Sequence, residues 1–177
     1  MNLANKLTLI RIILVPFFVF FLLTDFFPAS RLAALIVFCL ATATDKLDGT
    51  VAKKYDMVTN FGKFMDPIAD KLLVCSALIC LTGLGEIPVW ATIIIIAREF
   101  VISGIRLVAS DNGVTIAASW WGKIKTISQM VMIIVILADI SYLSVVQTVL
   151  IYISVILAVI SAVDYIIKNK KAISFDK

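Results

Sequence analysis

No histidine occurs anywhere in the 177 residues, which removes the commonest ligand of zinc and copper sites and the usual proton shuttle near neutral pH. Charge is scarce too. Only 16% of the residues are charged against 62% hydrophobic, and the mean hydropathy of +1.06 is more than the core of one soluble domain of this length could hide. Cys39, Cys75 and Cys80 all fall in apolar runs, with neither metal-ligand spacing nor the aqueous setting of a disulfide framework. There is no self-similar period, no pair of broken helices suggesting the inverted repeat of a secondary transporter, and no linker separating two domains. The net charge of +4 is modest, and no nucleic-acid partner is expected.

What is present is a series of long apolar runs, at about Leu7–Thr24, Leu32–Thr44, Leu72–Leu84, Ile87–Ile105, Ile127–Ala138 and Leu143–Ile167. Each spans or nearly spans a bilayer when its flanks are included. The expectation is an all-α integral membrane protein of six transmembrane helices in a single domain over residues 1–177. The first run has the look of a secretory signal, but it is long, contains Arg11 and is followed by five more spans, so an uncleaved helix is expected. Lys and Arg cluster at 6–11, 46–71, 106–125 and 168–177, while Arg31 alone falls on the opposite side and Arg98 lies within a span. Positive charge concentrates on cytoplasmic flanks, so both termini and the two longer connections, Lys53–Gly62 and Ser110–Lys125, are expected in the cytoplasm.

Chemistry concentrates where the second run ends and the third begins. Asp45 and Asp48 are three residues apart and Asp66 and Asp70 four apart, so on helices each pair shares a face about one turn apart. An outward-to-inward helix followed by an inward-to-outward one brings both pairs to the cytoplasmic membrane face. Four carboxylates there repel one another and need protons or cations. Two divalent ions would balance them, and an all-oxygen donor set without histidine suits Mg²⁺ or Mn²⁺. Two-metal phosphoryl chemistry is the natural reading, with a divalent-cation pathway as the alternative from another class. Gly49 and Gly62, beside the carboxylates, leave room for a nucleotide or phosphate against the backbone.

Arg106, Lys123 and Lys125 either follow the positive-inside bias or hold an anionic acceptor, and the second is favoured. Arg98-Glu99 reads equally well as a self-neutralising intramembrane pair or as part of that site. Pro67 either starts or kinks the third helix. Trp120, Trp121, Tyr142 and Tyr165 are most simply interfacial anchors.

The stretch Asp45–Asp70 resembles the signature of the CDP-alcohol phosphotransferases, D-x-x-D-G-x-x-A-R, eight residues, then G-x-x-x-D-x-x-x-D; every element is present except that Lys53 stands in place of the arginine. The resemblance implies that family's fold and a CDP-diacylglycerol donor whose pyrophosphate lies on two metals held by Asp45, Asp48, Asp66 and Asp70. It also implies Asp70 as general base, and Gly49, Ala52, Lys53 and Thr59 as nucleotide contacts. Lys53 keeps the charge of arginine without its planar fork.

Within the family, the segments Asn5–Arg11, Ala97–Phe100 and Gly122–Thr126 resemble the phosphatidylglycerophosphate synthases. That likeness implies Asn5 and Thr8, with Gly62, on the CDP-diacylglycerol side, and sn-glycerol 3-phosphate as acceptor, its phosphate held by Arg98, Arg106, Lys123 and Lys125. It further implies a homodimer among lipids of a bacterial cell membrane, with the active site facing the cytoplasm. Serine, inositol phosphate or phosphatidylglycerol as acceptor would be sister reactions, because the aspartate signature addresses only the donor half.

Because no other group balances four clustered aspartates, excess chelator is expected to abolish turnover of CDP-diacylglycerol by the purified protein, and Mg²⁺ or Mn²⁺ to restore it. CMP release that persists undiminished in chelator would refute the two-metal reading.

Overall fold

A computed structural model describes the backbone over residues 3–24, 26–54, 60–111 and 119–169, and side chains over 8–24, 26–44, 68–69, 71–110, 119–140 and 142–169. Among the described residues there are six α-helices and no strand: α1 (Leu3–Leu23), α2 (Ser30–Lys54), α3 (Asn60–Gly83), α4 (Val89–Asp111), α5 (Trp120–Leu137) and α6 (Ser144–Lys168), with one 3₁₀ turn at Ser141–Leu143. Two of these, α5 and α6, are long and apolar enough within the described residues to cross a membrane.

The helices outlast several of the apolar runs. α2 continues through Asp45 and Asp48 to Lys54, and α3 begins at Asn60, ahead of Asp66. Pro67 therefore does not start the third helix. α5 begins at Trp120 rather than beyond Lys125, so Lys123 and Lys125 lie in a helix and not in the connection before it. Apolar periodicity marks only the part of a helix that meets apolar surroundings, so polar first and last turns escape it.

Two compact units are formed, one from Met1–Glu86 with Ile136–Asp139, the other from Ile87–Val135 with Ile140–Lys177. In the first unit α1 packs against both α2 and α3. Its buried residues, Thr8, Arg11, Val15, Phe18 and Leu22, recur every three or four positions and make one stripe, the pattern of a helix seam. The other faces of α1 carry exposed Leu9, Ile13, Phe17 and Phe20. α2 meets the bundle with Ala34, Phe38 and Ala41, and the Phe18 and Phe38 rings lie 5.8 Å apart. Small residues let helix backbones approach, and in lipid such packing replaces the hydrophobic driving force.

Arg31 ties the start of α2 to the residues that follow α3 and to the end of α5. Its Nη1 and Nη2 donate to the two carboxylate oxygens of Glu86 at 2.7 and 2.6 Å, a bidentate fork. The same guanidinium donates to the carbonyls of Ile136 at 2.8 Å and Leu137 at 3.3 Å, capping the end of α5, where a cation also meets the negative pole of the helix. Asp139, 3.8 Å from Arg31 Nε, adopts φ +50, a left-handed turn that aspartate tolerates better than most residues.

Glu86 reaches Arg31 because α3 ends in a tight cap. Glu86 N–H donates to the Leu81 carbonyl at 2.9 Å and Gly85 N–H to that of Thr82 at 3.0 Å, with Gly85 at φ +79. These are the paired bonds of a Schellman cap with glycine in the left-handed position.

In the second unit α4 packs on α6. Trp90 stacks on Tyr152 at 5.7 Å, Arg98 bonds Ser161 at 3.1 Å and Arg106 bonds Tyr165 at 3.2 Å. The contacts advance in the same direction along both helices, so α4 and α6 are parallel. α6 buries Ile151, Ser154, Val155, Ala158, Ser161 and Tyr165 on one stripe. Tyr165 is thus a buried residue and not an interfacial anchor, whereas Trp120 and Tyr142 are exposed.

Gly85→Ala is expected to lower stability by about 1–2 kcal/mol, the cost of a side chain in the left-handed region, since nothing lies within 4 Å to clash with the added methyl. Thermal unfolding in detergent would check this, an unchanged midpoint counting against the cap.

Candidate functional site

The described side chains assemble one charged cluster inside the second unit. Helix α4 supplies Arg98, Glu99 and Arg106, α5 supplies Lys125, and α6 supplies Ser161 and Tyr165. Arg98 and Arg106 are eight residues apart in the sequence, a little over two turns of α4, so both project from the side of the helix that meets α6.

Glu99 is the centre of charge. Lys125 Nζ donates to its Oε1 in a short ion pair, and Arg98 Nη1 donates to the same oxygen at 3.2 Å. The three side chains are 3%, 10% and 14% exposed for Lys125, Arg98 and Glu99, so these charges are largely withdrawn from water. A buried cation is tolerated only with such compensation. Arg98 and Glu99 do form the internal pair that adjacency suggests, but Lys125 joins it, and Arg98 is held at a second point by Ser161 Oγ. Ser161 in turn donates to the Ala158 carbonyl at 3.0 Å.

Arg106 is fixed differently. Its Nε donates to the Tyr165 hydroxyl at 3.2 Å, and its guanidinium carbon lies 5.4 Å from the centre of that ring, within cation–π range. The residue is exposed while Tyr165 is buried, so the tyrosine anchors one edge of an otherwise accessible guanidinium. Lys123 stands apart from the group. Residues two apart on a helix point to nearly opposite sides, and Lys123 is exposed where Lys125 is buried.

Among the described side chains of the cluster, the Lys125 cation and the Glu99 carboxylate cancel and two arginine charges remain. Two positive charges on rigid, partly unspent guanidiniums suit a phosphate monoester better than a neutral hydroxyl compound.

Polar groups continue below the cluster. Gln129, one turn along α5 from Lys125, is buried, and its Nε2 has no hydrogen-bond partner, while Ser128 and Ser154 meet across α5 and α6 at 3.3 Å. The sequence alone assigns no role to Ser161 or Gln129 and makes Tyr165 an interfacial anchor rather than a partner of Arg106. Their signal, polar residues within otherwise apolar runs at helical spacing, is faint because serine and tyrosine are common in membrane helices.

The donor side lies mostly beyond what is described. Helix α2 carries the backbone of Asp45, Asp48, Gly49, Ala52 and Lys53 in its last turns, and α3 carries that of Gly62, Asp66 and Asp70 in its first turns. The side chains of these residues and of Asn5, and Thr59 altogether, lie outside the described residues. Thr8 is described, and it is fully buried on the α1 stripe beside Arg11. Among the described residues no group of three or more metal-ligating side chains occurs. As a donor set, four carboxylates and no histidine fit hard divalent cations, and their backbones occupy two consecutive helix ends.

Residues 1–160 match the family model of CDP-alcohol phosphatidyltransferases. The chain is 40% identical to the CDP-diacylglycerol–glycerol-3-phosphate 3-phosphatidyltransferase of Bacillus subtilis (strain 168), over 97% of both chains. It is 44% identical to a probable phosphatidylglycerophosphate synthase of Mycobacterium tuberculosis (strain ATCC 25618 / H37Rv), over 93% of this chain and 80% of the other. A third relative, the CDP-diacylglycerol–glycerol-3-phosphate 3-phosphatidyltransferase of Haemophilus influenzae, is 38% identical over 93% of this chain and 91% of its own.

Replacing Glu99 by leucine is expected to destabilise the protein by about 3–5 kcal/mol, the cost of stranding a buried cation, with Lys125→Met in the same background restoring part of the loss. Midpoints of thermal unfolding in detergent for the single and double variants would check this, and additive losses would show that the pair is not coupled.

Proposed function

Because this chain belongs to the CDP-alcohol phosphatidyltransferase family, we propose that it transfers the phosphatidyl group of CDP-diacylglycerol to sn-glycerol 3-phosphate, giving phosphatidylglycerol phosphate and CMP. The likeness to relatives that bear this activity in their names supports the reaction. The observation that carries the choice of acceptor is the surplus of two arginine charges, Arg98 and Arg106, over the Glu99–Lys125 pair.

In this reading the enzyme is an integral membrane protein of six spans with both termini and the aspartate-bearing helix ends in the cytoplasm. Its support is the gathering of nearly all Lys and Arg, Arg31 and Arg98 excepted, on one side, together with apolar helices whose exposed faces suit lipid. Asp45, Asp48, Asp66 and Asp70 would hold two Mg²⁺ or Mn²⁺ ions. When bound, such ions supply positive charge to phosphoryl and leaving-group oxygens. Gly49, Ala52, Lys53, Thr59 and Gly62 line the nucleotide and pyrophosphate, with Asn5 and Thr8 on the same substrate.

Asp70 accepts the proton of the acceptor's 1-hydroxyl. The oxygen so released forms a bond to the phosphorus that carries diacylglycerol, the bond from that phosphorus to the CMP oxygen breaks, and CMP departs with the electron pair. Arg98 and Arg106 bind the acceptor's phosphate, Lys125 keeps Glu99 neutralised beside them, and Lys123 adds to the basic inner flank. Charge-assisted bonds of this kind set which acceptor binds.

An acceptor panel with purified protein, CDP-diacylglycerol and Mg²⁺, read as CMP release, tests the assignment. Glycerol 3-phosphate is expected to support turnover, and serine, inositol and glycerol are not. Arg106→Gln should raise the KM for glycerol 3-phosphate by one charge-assisted bond, about 1.5–3 kcal/mol, leaving that for CDP-diacylglycerol nearly unchanged. Equal weakening of both substrates would move Arg106 to a general structural role, and turnover with a neutral acceptor alone would overturn the assignment.

A further inference from the structure

We propose that Gly122 is a specificity-determining residue of the acceptor's phosphate subsite, because its missing side chain keeps Nη2 of Arg98, the one nitrogen of that guanidinium with no described acceptor, open to a phosphate oxygen. The inference rests on the acceptor reading of Arg98.

Arg98 presents three nitrogens. Nε donates to Ser161 and one N–H of Nη1 to Glu99. Nη2 donates to no described group, although the side chain is only 10% exposed. A guanidinium locked at two points presents its third as a fixed donor, the arrangement that makes arginine selective for phosphate and carboxylate.

Gly122 stands beside that third nitrogen, in the first turn of α5. A methyl group on it would lie 3.7 Å from Arg98 Nη2 and 3.4 Å from Ser119 Oγ, and no other described side chain would come within 4 Å. Among the described residues the place is open, and it adjoins the donor. A phosphate oxygen must come within about 2.7–2.9 Å of a guanidinium nitrogen to accept a charge-assisted bond. A carbon 3.7 Å away sits in van der Waals contact with the nitrogen and covers one of its approaches.

Local structure does not require glycine here. Gly122 has no positive φ, and its N–H is capped by Ser119 Oγ at 3.1 Å, a bond any residue could make. In a helical first turn alanine is intrinsically better than glycine. On conformational grounds alone Gly122→Ala should therefore be neutral or stabilising. Glycine at this position is explained by what must fit next to Arg98.

The test compares Gly122→Ala with Ser119→Ala and the unaltered protein, each purified in detergent. Inorganic phosphate binding by calorimetry and the two substrate KM values are measured. Gly122→Ala is expected to unfold at the same or a higher temperature and to weaken inorganic phosphate and glycerol 3-phosphate about tenfold, with the KM for CDP-diacylglycerol within about twofold. Ser119→Ala, which loses the cap but leaves the gap, should lower the unfolding temperature with little change in phosphate affinity. Unaltered phosphate affinity in Gly122→Ala overturns the inference even if glycerol 3-phosphate proves to be the acceptor. Equal weakening by Ser119→Ala would assign the effect to the start of the helix. If the unaltered protein binds no phosphate, the inference and the acceptor reading fall together, whereas phosphate binding lost in Gly122→Ala without turnover of glycerol 3-phosphate leaves the subsite standing and removes only the acceptor's identity.

Discussion

A charge withdrawn from water into an apolar helix bundle must meet a counter-charge or a full set of hydrogen bonds, and the described structure is arranged around two places where it does. At one, Arg31 spreads over the Glu86 carboxylate and the last carbonyls of α5. At the other, Lys125 and Arg98 converge on a single oxygen of Glu99. Apolar side chains packed against lipid have little preference for one neighbour over another, since lipid tails are as apolar as leucine. The polar contacts supply the register that apolar packing leaves undetermined.

The two clusters differ in what they leave over. Around Arg31 every nitrogen is engaged: both terminal nitrogens on Glu86, Nη2 also on the Ile136 carbonyl, and Nε on that of Leu137. Such a group is a fastener. Around Glu99 one carboxylate faces two cations, and among the described residues Arg106 has Tyr165 as its hydrogen-bond partner. A site with positive charge beyond its own counter-ions, held by groups that cannot relax away, is suited to bind an anion without reorganising. Preorganised donors gain most where water is excluded, and the partial burial of Arg98 and Lys125 provides that setting.

In the proposed reaction the same requirement accounts for placing the chemistry at helix ends. Four aspartates could not lie in the middle of apolar runs without heavy cost, yet a phosphatidyl donor has its reactive phosphates at the membrane border, where lipid and aqueous substrates meet. Helices that run past their apolar segments, as α2 and α3 do, would offer rigid backbone at that border in the proposed membrane arrangement. Rigid elements hold catalytic groups more closely than loops do.

The sequence by itself determined the helical class, the approximate place of all six helices and the aspartate signature, because apolar run length and fixed i, i+3 and i, i+4 offsets are local properties that need no partner. It also named Arg98, Arg106, Lys123 and Lys125 as a group. Only the tertiary structure decided what each of them touches. It put Lys125 on Glu99 and left Lys123 exposed, since a two-residue step reverses direction on a helix whose start the apolar pattern could not locate. It turned Tyr165 from a candidate interfacial anchor into the buried partner of Arg106, and it set Gly122 beside the free edge of Arg98. Those relations join α4 to α5 and α6 across 24 residues and more of sequence, and no periodicity within one helix can report which side chain of another it will meet.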